Sequence, residues 1–325
     1  MTSRKSPLIL SMFAIVAALG VPRASHADPD RFQPFAQPPR THHVDCDRGE
    51  TITRTLDFVR PGDTVLVSGT CSENLLLSNT VHQFDGITLD GQGTATLLGP
   101  VATSNVIELV GVNTFTIQNL TITGGYDGIS VNTSLRVAIS NVTVNRAGRI
   151  GVHYQRMSQG YVVNSTLENN PSNGLVVNEN SYVRVGETDG VGATEGDLGP
   201  CTIASNGGYG IRVQRQSKAR IYVSSIEDNV NDGVHVESES YAEIATDDIS
   251  GNKNGVFVSE NGVIHLGNPT GTTAEDNPNT THGAPNTQFG LSASQTADVL
   301  GRLGTLSGVK GASTFTTGAQ DNLTP

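Results

Sequence analysis

The chain has 325 residues and a formal charge of −11, from 20 Lys and Arg against 31 Asp and Glu. That balance argues against nucleic acid as a partner, because such binding rests on basic contacts to phosphate. Trp is absent, charged residues are only 16% and Gly numbers 37, which suits short strands joined by tight corners and fits a helical enzyme poorly.

Residues 1–27 read as a signal peptide. Arg4 and Lys5 precede an apolar run over residues 8–19 that is too short to span a bilayer, and Ser25-His26-Ala27 offers small residues for cleavage before Asp28. No Cys follows that position, so no lipid anchor is expected, and no later stretch approaches membrane-spanning length. The mature chain is therefore expected to be exported, periplasmic or extracellular, and monomeric. Loss of Arg4, Lys5 and Arg23 takes its charge from −11 to −14.

Residues 28–45 are Pro-rich and polar and read as a lead-in. Residues 46–61 read as an N-terminal cap. Within them Ile52, Leu56 and Val59 follow helical spacing, so a short amphipathic helix over residues 50–60 is expected to cover the open end of a coil. Cys46 and Cys71 lie on either side of this cap, and export permits a disulfide between them. Cys201 is left over, as a buried small hydrophobe or a free thiol. Irregular strands follow at residues 64–67, 74–77, 87–89, 95–98, 106–109, 115–117 and 120–122, with Gly86, Gly91, Gly93 and Gly99 at corners.

From Gly128 the pattern becomes regular. Gly128, Gly151, Gly174, Gly210, Gly233 and Gly255 each open a Gly-apolar-x-apolar-like stretch, at steps of 23, 23, 36, 23 and 22 residues. A fixed period with one enlarged step is the mark of a solenoid. An apolar residue recurs 11 positions after each Gly (Ile139, Val162, Val185, Ile221, Ile244, Leu266), and another recurs 16 after four of them (Val144, Leu167, Ile226, Ile249). Each unit thus carries three short strands, and the fold class is all-β: a right-handed parallel β-helix over residues 62–292. Asn170, Asn206, Asn229 and Asn252 stand at one break, where Asn suits a left-handed corner. Asn119, Asn141 and Asn164 form a second column, either an amide ladder or simply corner residues.

Two insertions, within residues 186–200 and 267–286, leave the same corner, just after the second strand. A final strand is expected at residues 288–292. Residues 293–325 then close the coil, with a short helix at 299–303 and a frayed tail at 316–325.

The repeat, G-I-x-V followed by I-x-N-x-T-I and N-x-x-x-G, resembles the right-handed parallel β-helix superfamily of pectate lyases, polygalacturonases, alginate epimerases, phage tailspikes and many bacterial secreted proteins. The resemblance implies carbohydrate, a polysaccharide or cell-envelope glycan, as partner. It does not carry a catalytic signature. The Asp-Pro-His-Asp type motif of alginate epimerases is matched only by Gly-Val-His-Tyr and Gly-Val-His-Val, which keep His153 and His235 but no Asp-Pro. The paired Asp and Gly-His-Gly of polygalacturonases are absent. Asn231-Asp232-Gly233 echoes them in part, and a plain corner explains it.

The resemblance implies that a substrate lies along the first-strand face. Its outward residues are Ser130, His153, Val176, Arg212, His235 and Phe257 in one column, and Asn132, Gln155, Asn178, Gln214, Glu237 and Ser259 in the next. A uronate lyase or C5-epimerase needs a cation for the substrate carboxylate, a base and an acid. Arg212, His235 and either Tyr154 or His153, with Glu237 beside His235, are the candidates. The same polar stripe also describes a glycan-binding face without catalysis, or the solvated side of a structural or adhesive rod. Gln155, Asn178 and Gln214 would contact sugar. Tyr182 and Tyr241, flanking Lys218 in a column on the second strands, would stack on sugar or latch the surface. No cofactor is required. Glu187, Asp189, Glu195 and Asp197 in the first insertion offer oxygen ligands to Ca²⁺, or form a solvated acidic loop.

Overall fold

The computed structural model describes residues 38–80, 82–187, 199–267 and 279–324. Alternating apolar residues put every second side chain of a strand inward, and three strands per coil enclose them. Among the described residues, the first strands stack as one parallel sheet of ten, from Leu75–Ser78 through Ile129–Asn132, Val152–Gln155, Leu175–Val177, Ile211–Val213, Val234–Val236 and Val256–Val258 to Gly311–Phe315. The second and third strands share a sheet of 17, because several are one bent strand, such as Thr88–Gly99, Thr116–Gly124 and Val137–Ala147. The architecture is a right-handed parallel β-helix of about 11 turns, with almost no helix.

The register follows the glycines. Ile129, Val152, Leu175, Ile211, Val234, Val256 and Leu291 pair in sequence, so the glycine before each stacks on the next, and Gly290 adds a rung after the second insertion. None of these glycines has positive φ. Space is what requires them. A Cβ on Gly151 would stand 2.6 Å from the carbonyl oxygen of Gly174, one on Gly210 2.6 Å from that of Gly233, and one on Gly233 2.7 Å from that of Gly255.

The Asn column beside them closes the same gap from the other side. Asn170 Nδ2 donates to Asn206 Oδ1 at 3.0 Å, Asn206 to Asn229 at 2.9 Å, Asn229 to Asn252 at 3.0 Å and Asn252 to Asn286 at 3.3 Å. Each Oδ1 also accepts the backbone N–H of the preceding rung's Asn, and Asn229 Nδ2 donates further to the Ile203 carbonyl at 3.0 Å. No Asn of this buried amide ladder has positive φ, contrary to expectation. The left-handed residue is the one before it, Asn169, Ser205, Asp228 or Gly251. The column that is left-handed is the other one, with φ of 54°, 54° and 49° at Asn119, Asn141 and Asn164. There Asn141 Nδ2 donates to Asn119 Oδ1 at 2.6 Å, and Asn119 Nδ2 to Asp90 Oδ1 at 2.9 Å.

The next position lines the inside of the second-to-third corner. Cys201 N–H donates to Ser224 Oγ, Ser224 N–H to Asp247 Oδ1 at 2.8 Å, and Asp247 N–H to Asn279 Oδ1 at 3.1 Å. Cys201, a free buried thiol, occupies a hydroxyl's place, with Sγ 3.3 Å from the Val162 carbonyl, and burial pushes its pKa up to about 11. Asp247 is fully buried, which pushes its pKa well above the carboxylate range, and Oδ2 has no hydrogen-bond partner among the described residues.

At the N-terminal end the cap forms as expected but shorter. The helix α1 is Ile52–Leu56, with Ile52, Leu56 and the following Val59 buried on the coil. Thr51 caps it by accepting from Arg54 N–H, and the Glu73 carboxylate accepts Ile52 N–H at 2.7 Å and Thr53 N–H at 2.9 Å. The Cys46–Cys71 disulfide ties this cap to the first coils, with a Cα separation of 5.1 Å. The lead-in is more structured than its composition indicates. Thr41–Asp45 is a strand paired with Thr64–Ser68, since Val44 has an apolar slot to fill.

The C-terminal expectation also changes. Phe289–Ala293 is a strand, but the coil continues through Asp298–Gly301, Gly311–Phe315 and Gln320–Leu323, so neither the closing helix nor the frayed tail is found. Val299 is buried opposite Ile264, and that alternation selects strand. Both insertions leave after the second strand, at Val185 and Leu266; most of each, residues 188–198 and 268–278, lies outside the described residues, as does the expected signal peptide.

Two substitutions test the ladders. Asn229→Ala unpairs groups on three neighbours and is expected to destabilise the fold by about 3 kcal/mol or more, read from urea unfolding. Asp247→Asn supplies an amide where the next rung has Asn279, whose Nδ2 bonds the Ile244 carbonyl at 2.8 Å; the Ile221 carbonyl stands one rung up. Because the folded pKa is raised, Asp247 disfavours folding once pH passes the unfolded value of 3.8. Asp247→Asn is therefore expected to stabilise by about 1–3 kcal/mol at pH 7, with the gain vanishing as pH falls to that value.

Candidate functional site

The first-strand sheet is built of short strands, and its outward columns are set by the Gly register. Arg212 pairs directly with His235, and His235 with Phe257, at successive rungs about 4.8 Å apart. A connected cluster results. Glu237 Oε1 accepts from Arg212 Nε at 2.8 Å and also from Arg212 Nη2, while Glu237 Oε2 lies 3.2 Å from His235 Nε2. His235 Nδ1 is 2.8 Å from Asp232 Oδ2, and Asp232 Oδ1 accepts from Asn254 Nδ2 at 2.7 Å. The His235 ring stacks on Phe257, with centroids 4.8 Å apart, and tilts against Tyr209 at 4.3 Å, with the Arg212 guanidinium 5.4 Å over Tyr209.

The electrostatics follow from these contacts. Burial works against charge on His235, yet the hydrogen bonds to Asp232 and Glu237 outweigh it and raise its pKa above the ordinary 6.5. The His235 hydrogen bond, against burial and with Arg212, brings Glu237 down to about 2. Both ring nitrogens thus face carboxylates, an arrangement that favours the imidazolium. A base needs a free lone pair, and His235 has none in this state.

His153 stands three rungs away, about 14 Å along the face, and does not join the cluster. Its Nδ1 is 3.4 Å from Asp127 Oδ2, and Asp127 is held by Arg149 through Nε at 2.8 Å and Nη2 at 2.6 Å. Burial opposes ionisation of Asp127, but the Arg149 and His153 hydrogen bonds prevail and lower its pKa. Arg149 lies 4.4 Å over the Tyr126 ring. The second nitrogen of His153 is buried and has no hydrogen-bond partner among the described residues, and the same holds for Oδ1 of Asn178, one rung on. Gln155 Nε2 donates to Ser130 Oγ at 3.2 Å. Gln214 follows Ile211–Val213 on the same side. Tyr154 faces inward, fully buried, its hydroxyl bonded to the Val137 carbonyl at 2.9 Å.

The remaining expected residues lie elsewhere. Tyr182, Lys218 and Tyr241 form one register column on the second strands, away from the first-strand face. Glu187 is buried between Arg184 Nη1 at 3.3 Å and Arg220 Nη1 at 3.4 Å, so its oxygens face guanidinium groups. Asp189, Glu195 and Asp197 lie outside the described residues. The sequence reading took Asp232 for a plain corner and passed over Tyr209, Asp127, Arg149 and Tyr126. The available signal was an Asp directly before Gly128 and Gly233, each with a His on the face within a rung.

By fold this is a pectate-lyase-like parallel β-helix. The alginate lyase from Paenibacillus sp. str. FPU-7 superposes with a TM-score of 0.51 at 16% identity, over 87% of this chain and 99% of that one. Pectate lyase Pel9A gives 0.52 at 13% identity, over 87% and 78% of the two chains. No curated protein sequence matches the chain. The family model described as periplasmic copper-binding protein (NosD) matches residues 78–283, and the chain belongs to that family.

Among the described residues the donor set does not fit a copper centre. Copper selects imidazole, thiolate or thioether ligands converging on one point. Among the described residues a single group of three His, Cys, Asp or Glu side chains converges, Cys46, Cys71 and Glu73, and its two sulfurs are joined to each other. The one described methionine, Met157, is exposed.

The charged cluster sets a pH window. Glu237 stabilises the fold above its unfolded value of 4.5, and that contribution is lost as pH falls toward about 2. His235 stabilises below its unfolded value of 6.5, and that contribution is lost as pH rises through the raised folded value. His235→Gln is therefore expected to lower Tm most between pH 4.5 and 6.5. A Tm difference independent of pH would refute this account.

Proposed function

We propose that the protein is an exported, periplasmic β-helix protein that recognises polysaccharide along its first-strand face and leaves the polymer intact. The observation that carries this reading is the Tyr209–His235–Phe257 aromatic set, braced by Arg212, Glu237 and Asp232. Aromatic rings offer sugars an apolar platform, and the charged groups around them offer directional hydrogen bonds. The family's description as periplasmic supports the compartment, and the named activities of the two lyases of like fold support carbohydrate as partner by analogy. No helix among the described residues is long and apolar enough to cross a membrane.

The reading is tested by glycan-array binding of the mature chain, followed by titration calorimetry on the best ligand. Tyr209→Ala with Phe257→Ala is expected to weaken binding at least tenfold with Tm little changed. Absence of binding to every glycan by the folded protein would favour a structural or adhesive rod instead.

A second reading, a lyase or C5-epimerase of uronate polymers, is favoured by one observation. His153 has an unengaged nitrogen backed by Asp127 and Arg149, the arrangement of a general base. Arg212 and His235 would then serve to bind the substrate. New ultraviolet absorbance from unsaturated uronates on alginate, pectate or hyaluronan, abolished by His153→Ala, would establish a lyase.

A further inference from the structure

The corner between first and second strands is built differently from the other two. It turns through two successive left-handed residues in coil after coil: Arg156–Met157, Glu179–Asn180, Arg215–Gln216, Ser238–Glu239, Glu260–Asn261 and Gln295–Thr296, all with φ between 51° and 62°. Glycine adopts that conformation without strain, whereas a side chain there costs roughly 1–2 kcal/mol per residue. None of these positions is glycine. Behind them a buried serine column fixes the turn. Ser134 N–H donates to Ser158 Oγ at 3.2 Å, Ser158 to Ser181 at 3.1 Å, Ser181 to Ser217 at 3.2 Å and Ser217 to Ser240 at 3.2 Å. The outer side chains are therefore carried on a rigid base.

Two clefts open on this corner. One, of about 540 Å³, is lined by Asn180, Gln216, Glu239 and Asn261 among others; the second, of about 450 Å³, by Gln159, Asn180, Tyr182, Gln216 and Lys218. They share Asn180 and Gln216, so they form one continuous groove, and each has the volume of a small-molecule site. Four amides, Gln159, Asn180, Gln216 and Asn261, line it among charged side chains and both donate and accept, and the Tyr182 ring lines the second cleft.

The carboxylates are already engaged. Glu179 pairs with Arg215 at 3.2 Å and Arg156 at 3.6 Å, Glu239 accepts from Gln216 Nε2 at 2.9 Å, and Glu260 accepts from Ser238 Oγ at 2.7 Å. Three Glu against Arg215 and Lys218 leave the groove itself with a charge of −1. Polyanions are disfavoured there, and ligands rich in hydroxyl groups are suited.

We propose that this corner groove is a second glycan site, distinct from the first-strand face, and that it takes a neutral oligosaccharide. The ligand class rests on the glycan reading above; the location does not. The test uses the mature chain and chito-, cello- and malto-oligosaccharides as probes, with affinity read by calorimetry and Tm monitored. Asn180→Gly with Gln216→Gly removes both shared amides while favouring the left-handed backbone, and Tyr182→Ala is an independent variant. Each is expected to weaken neutral oligosaccharide binding at least tenfold, while Tyr209→Ala with Phe257→Ala leaves it unchanged. Loss of that binding only in the first-strand variant would overturn the groove and leave the first-strand reading standing. Failure of all the neutral probes to bind, or a groove that prefers oligouronates, would overturn it as well.

Discussion

The fold depends on how closely one backbone can lie over another at the turn into the first strand. The carbonyl of each rung sits where a Cβ on the glycine before it would be, and the ladder amide of Asn170, Asn206, Asn229 or Asn252 fills what remains. Glycine and Asn are thus two halves of one contact. The glycine lets the coils approach, and the amide satisfies polar groups that the approach buries. Inward Val, Ile and Leu then contribute about 1.5–3 kcal/mol per buried side chain, but they can do so only because the rungs are in register.

The first-strand face inherits its geometry from that stacking. Arg212, His235 and Phe257 lie at one strand position in successive coils, so they meet at the spacing of the sheet although they are far apart in sequence. Side chains from the turn, Tyr209 and Asp232, lean over the edge and complete the cluster. The Asp127–His153 pair repeats the theme three rungs away without an acidic partner at its second nitrogen. One surface therefore carries a His engaged at both ring nitrogens and a His engaged at one among the described residues; where Glu237 follows His235, the His153 rung has Gln155.

Much of the architecture was legible in the sequence because it is periodic. The Gly steps carry three strands per coil, the outward columns and the shared corner of both insertions, and the helical spacing of Ile52, Leu56 and Val59 carries the cap that Cys46 and Cys71 tie down. What was not legible depends on corner geometry. Asn was assigned the left-handed role in the wrong column, since residue type does not say whether an amide faces inward to a ladder or bends the backbone itself. Tyr209, Asp127 and Arg149 precede the glycines, where strand alternation gives no direction for a side chain, and Asp232 reads as a plain corner for the same reason. The terminal coils escaped notice because Val44 and Val299 stand in single strands without neighbours long enough to show a period.

Both enlarged steps return to register at once: Leu175 pairs with Ile211 across the first insertion and Val256 with Leu291 across the second. Chain length at that bend is therefore decoupled from the stacking of the rungs around it. Segments of very different size can be spliced between Gly186 and Gly199, or after Gly267, with both anchor points already held by neighbouring backbone. The scaffold can gain or lose loops on that side while the opposite surfaces keep their spacing.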